Sequence, residues 1–392
     1  QDTKTGTVRN PVYGNWGKSL YYTQRFNGKD SMVVNQDPDV QVGTGYSQYD
    51  FLQKFYFRPG EKSSYTLNFQ LSNSSDIPRY DRLTLWSGGK LKYAEWSYGP
   101  QFRMLTSLRA DYSCDKGFYD NAAIILAHQN ISEDRLTRSF GKTARTNQEE
   151  TVNVLSFNID LRKTIKEKNE LRYGVEAFYN NVGSVAYSED VDNGSITYDA
   201  ATRYPDKSGI MNSMAAYITH NWEINNKVIF SQGIRYSNIA MKTEYSDTMM
   251  TLMDFSFNKV IEQDNGAMNY NLGLVYKIGS GWRITGMSSS GFRVPNIDDV
   301  SKVNDSKGKD HTVIVPNPGL KPEYSYNQEI TINKTFNKKV QIEGTVFYTT
   351  MKDAITLRET TFNGADSIDF QGYMSKVYTN TNAGNAFLYG GQ

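Results

Sequence analysis

The sequence predicts an all-β chain folded as an antiparallel transmembrane β-barrel. Three features predict it. Apolar and polar residues alternate at period two along nearly all of the 392 residues. Tight turns and long polar connections tend to follow one another along the chain. The alternating segments also run to roughly twice the length usual for a strand in a soluble sheet.

About thirteen strands are expected, at 46–58, 62–72, 101–113, 119–131, 146–163, 169–187, 210–224, 227–243, 266–278, 281–291, 324–336, 340–357 and 383–390, with a further hairpin within 17–35. Tyr65, Leu67, Phe69 and Leu71 alternate with Thr66, Asn68 and Gln70. Leu155, Phe157, Ile159 and Leu161 alternate with Ser156, Asn158 and Asp160. Tyr270, Leu272, Leu274 and Tyr276 repeat the pattern, as do Val340, Ile342, Val346 and Tyr348. Successive side chains of a strand face opposite ways, so each segment has one greasy and one wet face. The tight connections are Pro59-Gly60-Glu61-Lys62, Lys166-Glu167-Lys168-Asn169, Asn225-Asn226, Gly279-Ser280-Gly281 and Asn337-Lys338-Lys339. They read as hairpin turns. The long polar stretches are 73–100, 188–209, 247–266, 295–322 and 360–382. Short turns on one rim and long loops on the other describe an outer-membrane barrel. Several strands exceed the roughly ten residues that cross a bilayer, so their ends should project beyond it. Aromatic residues near strand ends (Tyr46, Tyr56, Tyr112, Tyr179 and Tyr187) fit girdles at the two interfaces. A soluble sandwich, propeller or solenoid would alternate too. Its strands would be shorter, and no internal repeat of propeller or solenoid type is visible.

Composition excludes other classes. The formal net charge is +1, which gives no support to a nucleic-acid partner. Mean hydropathy is −0.61, and no run of eighteen or so apolar residues offers a helical span. Residues 1–13 are polar, so no cleavable signal peptide is expected within this sequence. One cysteine, Cys114, beside the turn Asp115-Lys116-Gly117, excludes an internal disulfide and a cysteine zinc cluster. No Gly-x-Ser-x-Gly elbow, His-Glu-x-x-His pair or Walker loop occurs. Carboxylates such as Asp160 and Glu343 read as solvated wall residues. Neither an enzyme nor a resident cofactor is expected.

Two segments go beyond pattern. Ser290-Gly291-Phe292-Arg293-Val294-Pro295-Asn296-Ile297-Asp298-Asp299 closes one strand, and Val315-Pro316-Asn317-Pro318-Gly319-Leu320-Lys321-Pro322-Glu323 opens the next. Pro295 and Pro318 cannot donate to a ladder and mark strand ends. The pair resembles the paired boxes of TonB-dependent outer-membrane receptors, with Phe292, Arg293, Pro295, Asn317, Pro318 and Leu320 at box positions. Val294 stands where that family usually has Ala, and Gly319 where it has Asn or Asp. A third stretch, Ser75-Asp76-Ile77-Pro78-Arg79-Tyr80-Asp81-Arg82-Leu83 followed by Glu95-Trp96-Ser97-Tyr98-Gly99-Pro100-Gln101, is similar to the early barrel of Bacteroidetes-type members. The resemblance spans roughly residues 13 to 390.

The resemblance implies a bacterial outer-membrane location and a barrel of about 22 strands closed around a plug. Residues 1–392 would then be a partial barrel domain of thirteen or fourteen strands, with the plug and the last strands absent from this sequence. It also implies active uptake of a scarce, bulky ligand. Haem or a ferric siderophore comes first, with cobalamin or an oligosaccharide as alternatives. The partners implied are the inner-membrane TonB complex acting through the plug, outer-membrane lipids, and a surface lipoprotein over the mouth. A passive porin or adhesin barrel is the competing class.

Four residues are candidates for ligand contact. Arg293 faces Asp298, Asp299 and Glu323, so a rim salt bridge is favoured over direct contact. His311 lies between the two boxes, where haem receptors of the family carry a histidine that is a candidate iron ligand; a solvated loop histidine is the plainer alternative. Met249 and Met250, with Met253 beside them, could offer soft contacts to an apolar ligand; a hydrophobic loop tip is the commoner arrangement. His128 and His220 lie within strands, at wall or lipid-facing positions.

Overall fold

The computed structural model describes residues 3–4, 18–115, 117–253, 257–307, 311–370 and 373–392. The polar stretch 1–13 lies outside them apart from Thr3–Lys4. Thirteen strands form one antiparallel path: Gln48–Gly60, Ser63–Ser74, Tyr93–Ser113, Asn121–Ser139, Ala144–Ile165, Asn169–Asp190, Ser208–Asn225, Val228–Glu244, Val260–Gly279, Trp282–Arg293, Glu323–Phe336, Val340–Lys352 and Ala386–Gly391. Each corresponds to one of the expected strands. The path is open, ending on Gln48–Gly60 and Ala386–Gly391. The expected early hairpin is Tyr21–Phe26 paired with Lys29–Val34, apart from the wall. Among the described residues no helix is long and apolar enough to cross a membrane.

Ladder register turns alternation into two faces. Leu67 pairs with Leu108, Leu108 with Leu126, Leu126 with Phe157, and Phe157 with Ala177. That row and the residues two positions away from it along each strand make the apolar outer face. His128 pairs with Leu155 on this face, and His220 sits on it too, stacked on Trp222 at 6.4 Å. The opposite face is polar. Asp160 accepts from the Tyr217 hydroxyl, and Glu176 takes Arg235 and Asn158. Glu343 accepts from Asn333 at 2.9 Å. A Cβ on Gly174 would lie 2.9 Å from the Tyr217 ring, so this glycine makes room for the ring that reaches Asp160. Such a wet inner wall suits a lumen.

The tight turns follow their chemistry. Lys166 and Glu167 have φ of 50° and 57°, and Asn337 and Lys338 have 49° and 58°. Two successive positive values match the twist of a hairpin. On the short-turn rim, Tyr65 meets Tyr112 edge-on at 6.1 Å. Lys334 lies 4.9 Å from the Trp282 ring centre there. Of the expected girdle residues, Tyr56 has inward parity, between the outward Phe55 and Phe57. Tyr187 leaves the girdle to donate to Glu149 at 2.8 Å.

Three corrections concern the other rim. The strands overshoot: Tyr93–Ser113 begins eight residues before the expected 101, and Asn121–Ser139 ends beyond 131. Above the bilayer the apolar alternation fades, but cross-strand pairs such as Arg145 with Glu189 at 2.6 Å and Arg138 with Glu95 at 2.8 Å sustain the ladder. The strand expected over 340–357 breaks at Lys352, because Asp353 turns left-handed at φ 55°. The stretches 295–322 and 360–382 are not plain loops. They fold together into a five-stranded sheet with Asn304–Lys307, His311–Ile314, Ile355–Glu359, Ser367–Phe370 and Tyr373–Asn382. His311–Ile314 pairs in parallel with Tyr373–Asn382.

That small sheet has its own core. Tyr245, Met249, Met253, Val303, Val313, Val315, Phe370 and Val377 are buried together. They come from three separate long connections. A second cluster of Met241, Ile261, Ile297, Val300 and Leu320 joins this sheet to the wall.

Candidate ligand-binding mouth

A bulge sets up the inner face of the mouth. Below it, the odd residues of Tyr93–Ser113 face inward: Ser107 pairs with Ala127, which pairs with the inward Ser156. The register shifts between Tyr98 and Gln101. An extra residue in one strand re-aims the side chains beyond it. Trp96 and Tyr98 therefore take the inward positions that uninterrupted counting would give to Glu95 and Ser97. Tyr98 pairs with Arg135, and Glu133 pairs with Glu150. Glu150 shares the parity of Ser156, so this group faces the lumen. Counted from the short turns, the roughly ten residues that span a bilayer are used up before Arg135 and Glu150 are reached.

Arginines and aromatic rings interleave here. The Arg79 guanidinium lies 4.8 Å from the Trp96 ring centre and 5.2 Å from that of Tyr98. Arg135 lies 5.7 and 5.0 Å from the same rings. Trp96 and Tyr98 meet edge-on at 5.1 Å. Asp81 holds Arg79 through two hydrogen bonds of 2.8 and 2.5 Å, and Arg79 donates to the Tyr98 hydroxyl at 2.9 Å. Arg203, 5.2 Å from the Tyr204 ring centre, also acts on Glu150. Among the described residues, Nε of Arg135, Nε of Arg203 and Oε1 of Glu150 are buried without a hydrogen-bond partner. Burial pushes the Glu150 carboxyl up to about 7, against the pull of Arg203 and Arg135. Burial, aided by Arg203, pushes the Arg135 guanidinium down. Unspent donors on cations laid over aromatic faces suit a bulky anion with flat parts.

The box residues build the hinge between wall and loops. Arg293 donates to Glu323 and to Asp299, each at 2.6 Å. Asp298 instead pairs with Lys302 and lies 3.8 Å from Arg203. Asn296 and Asp299 form a reciprocal cap on the helix Ile297–Ser301. Against burial, the Ile355 N–H and the Arg293 guanidinium hold Glu323 below its ordinary value. Phe292 stacks on Tyr324 at 6.4 Å, and Pro295 is fully buried. Asn317 donates to the Asn380 carbonyl at 2.8 Å, tying the second box to the neighbouring loop. Leu320 is buried, and Gln263 donates to the carbonyls of Pro318 and Leu320. Arg293→Gln should loosen this junction selectively. Arg293 is nearly half exposed, so solvent screening limits the loss to about 1 kcal/mol. Hydrogen exchange should show about five-fold lower protection at the Ile355 amide, with the wall strands unchanged.

The other sequence candidates fall into the loop sheet. His311 opens the strand His311–Ile314 and stacks on Tyr373, 4.4 Å between ring centres and 12° from parallel. Its Nδ1 is buried without a hydrogen-bond partner among the described residues. Met249 is 6% exposed, packs in the loop core, and its Sδ accepts from the Thr202 N–H at 3.5 Å. Met250 packs against the same core. On the short helix Asp247–Met253, Met249 is buried and Met250 partly so, both against the loop core. His311 and Arg293 are not brought to the Arg135 cluster by any contact among the described residues. Arg79, Trp96 and Tyr98 lie in the stretch that resembles the early barrel, but neither they nor Arg135, Glu150 and Arg203 are among the ligand-contact candidates of the sequence. The run Glu95-Trp96-Ser97-Tyr98-Gly99-Pro100 could have signalled them, since Gly-Pro within a strand marks a bulge.

A family model described as TonB dependent receptor-like, beta-barrel matches residues 5–391. No curated protein matches the chain. Among solved structures, the FrpB iron transporter from Neisseria meningitidis is 15% identical with a TM-score of 0.60, over 100% of this chain and 53% of that one. A double mutant of the Serratia marcescens hemophore receptor HasR, in complex with its hemophore HasA and heme, is 13% identical with a TM-score of 0.63, over 88% and 51%. The copper transporter OprC is 12% identical with a TM-score of 0.67, over 88% and 51%. At these identities the likeness is one of fold. The chain spans about half the length of these structures.

Proposed function

The chain belongs to the TonB-dependent receptor-like β-barrel family of the bacterial outer membrane, and on that premise we propose that it forms part of the wall and mouth of a receptor for active uptake of an iron-bearing ligand. The ligand is haem or a ferric siderophore. Such ligands are bulky, flat in part, and carry carboxylates or catecholates. The observation that carries this is the lumen-facing cluster of Arg79 and Arg135 over Trp96 and Tyr98. Buried guanidinium donors without partners stand ready for anionic oxygens. Extracellular loops would capture the ligand, and the TonB complex, pulling on a plug, would open the path.

His311 is the candidate that separates the two ligands. Neutral imidazole is a good ligand for haem iron, and the Tyr373 face holds the ring in place. The full-length receptor in detergent should shift the haemin Soret band on titration, and His311→Ala should weaken that shift at least ten-fold. A shift that is equal in both proteins removes His311 from the site. Absence of a shift in both removes haem, and a ferric siderophore or cobalamin becomes the leading ligand.

A further inference from the structure

The hairpin formed by Tyr21–Phe26 and Lys29–Val34 is fastened to the outside of the wall. Asp30, its side chain fully enclosed, accepts from Arg138 at 2.8 Å and from the Gly141 N–H at 2.7 Å. Arg138 pairs with Glu95 and has the outward parity of Leu126. Arg25 bonds Asp30 at 3.1 Å and Asp192 at 2.5 Å. A buried ionic network tolerates little displacement, because a separated charge would be stranded out of water. The hairpin is therefore held at a fixed distance from the wall.

Between the hairpin, the wall and the 75–92 connection lies a cavity of about 400 Å³. Its wall-side lining includes Ser97 and Leu136, which pair with each other at outward positions. The cavity therefore opens on the outer side of the wall edge, and it touches the Arg135 cluster at Trp96, which also lines it. Tyr21, Tyr22 and Tyr80 line it, with Asp76 and Glu95. Among the described residues no lysine, arginine or histidine lines it. Arg138 and Arg145 reach Glu95 from behind, at 2.8 and 3.4 Å. Asp76 is exposed and its carboxylate accepts no hydrogen bond among the described residues; partial desolvation raises its pKa, with Arg145 opposing the rise and Glu95 adding to it.

We propose that this cavity binds a small organic ammonium ion, with the Asp76 carboxylate as counter-ion and the tyrosine rings as its walls. A carboxylate with no cation within ion-pair distance among the described residues, set beside aromatic faces in a preformed space, favours a weakly hydrated cation over an inorganic one. This goes beyond the uptake function and does not depend on it.

The full-length protein in detergent would be titrated calorimetrically with tetramethylammonium and n-butylammonium chlorides, with potassium chloride as control. Saturable one-to-one binding of at least one ammonium ion is expected, with no such heat from potassium. Asp76→Asn should weaken it at least ten-fold, and Tyr22→Leu several-fold, with the melting temperature of both variants unchanged. Haemin titrations of the two variants should match the parent, whatever the parent does with haemin. Absence of saturable heat from both ammonium ions, equal heat from potassium, or undiminished binding by Asp76→Asn would overturn the assignment.

Discussion

Arg135→Gln should weaken binding of a ferric tris-catechol complex about ten- to a hundred-fold, read by quenching of protein fluorescence. A hydrogen bond to a charged group is worth about 1.5–3 kcal/mol, and Arg135 brings both charge and an unspent Nε donor. Glu150 gives this site a pH dependence of definite sign. Its carboxyl is raised to about 7 in the folded protein. Below that pH it is neutral, so Arg135 loses that carboxylate and Arg203 keeps Asp298 alone. Above it the carboxylate ionises, pairs with the arginines and competes with an anionic ligand. Affinity should therefore rise several-fold from pH 8 to pH 6, since about 1.4 kcal/mol of coupling corresponds to one pKa unit. Glu150→Gln should hold the high-affinity level at both values. If that variant keeps the full pH dependence, the titrating group lies elsewhere.

Val313→Asp should dissolve the loop sheet and leave the wall intact. Val313 is wholly buried between connections that are far apart in sequence. An unpaired carboxylate there costs several kcal/mol, more than a small sheet with one modest core can absorb. Trypsin should cut at Arg358 and Lys376 at least ten-fold faster than in the parent protein. The heat-dependent gel migration that reports a folded barrel should not change. Loss of that migration would show that the loop core and the wall fold as one cooperative unit.

The wall was legible because its physics is local. A strand with one face in lipid and one in water must alternate. Leu155, Phe157 and Ile159 write that alternation without reference to any other segment. The projecting ends were less legible, since Arg138 and Glu95 stabilise a ladder without an apolar face. The loop sheet was illegible for a different reason. Val313 and Val377 become core only once two distant connections meet, and neither stretch has a period of its own. The arginine–aromatic mouth was hidden by parity: the shift between Tyr98 and Gln101 exchanges inward for outward positions. The box residues were readable as a pair, but their task of holding the loop base through Arg293, Asn317 and Leu320 needed coordinates.

The parallel pairing of Thr312, Val313 and Ile314 with Lys376, Val377 and Tyr378 also sets how far apart in the chain the loop sheet must reach. Between these segments runs an entire hairpin of the wall, Glu323–Phe336 and Val340–Lys352. Val315 accepts a hydrogen bond from Thr379, a partner 64 residues away. Closing so long a loop is slow in a free chain. Here the paired strands of that hairpin bring the two ends together. The wall hairpin thus acts as the clasp of the loop sheet: once Glu323–Phe336 and Val340–Lys352 are paired, the loop that the parallel pairing must close is far shorter than the sequence separation.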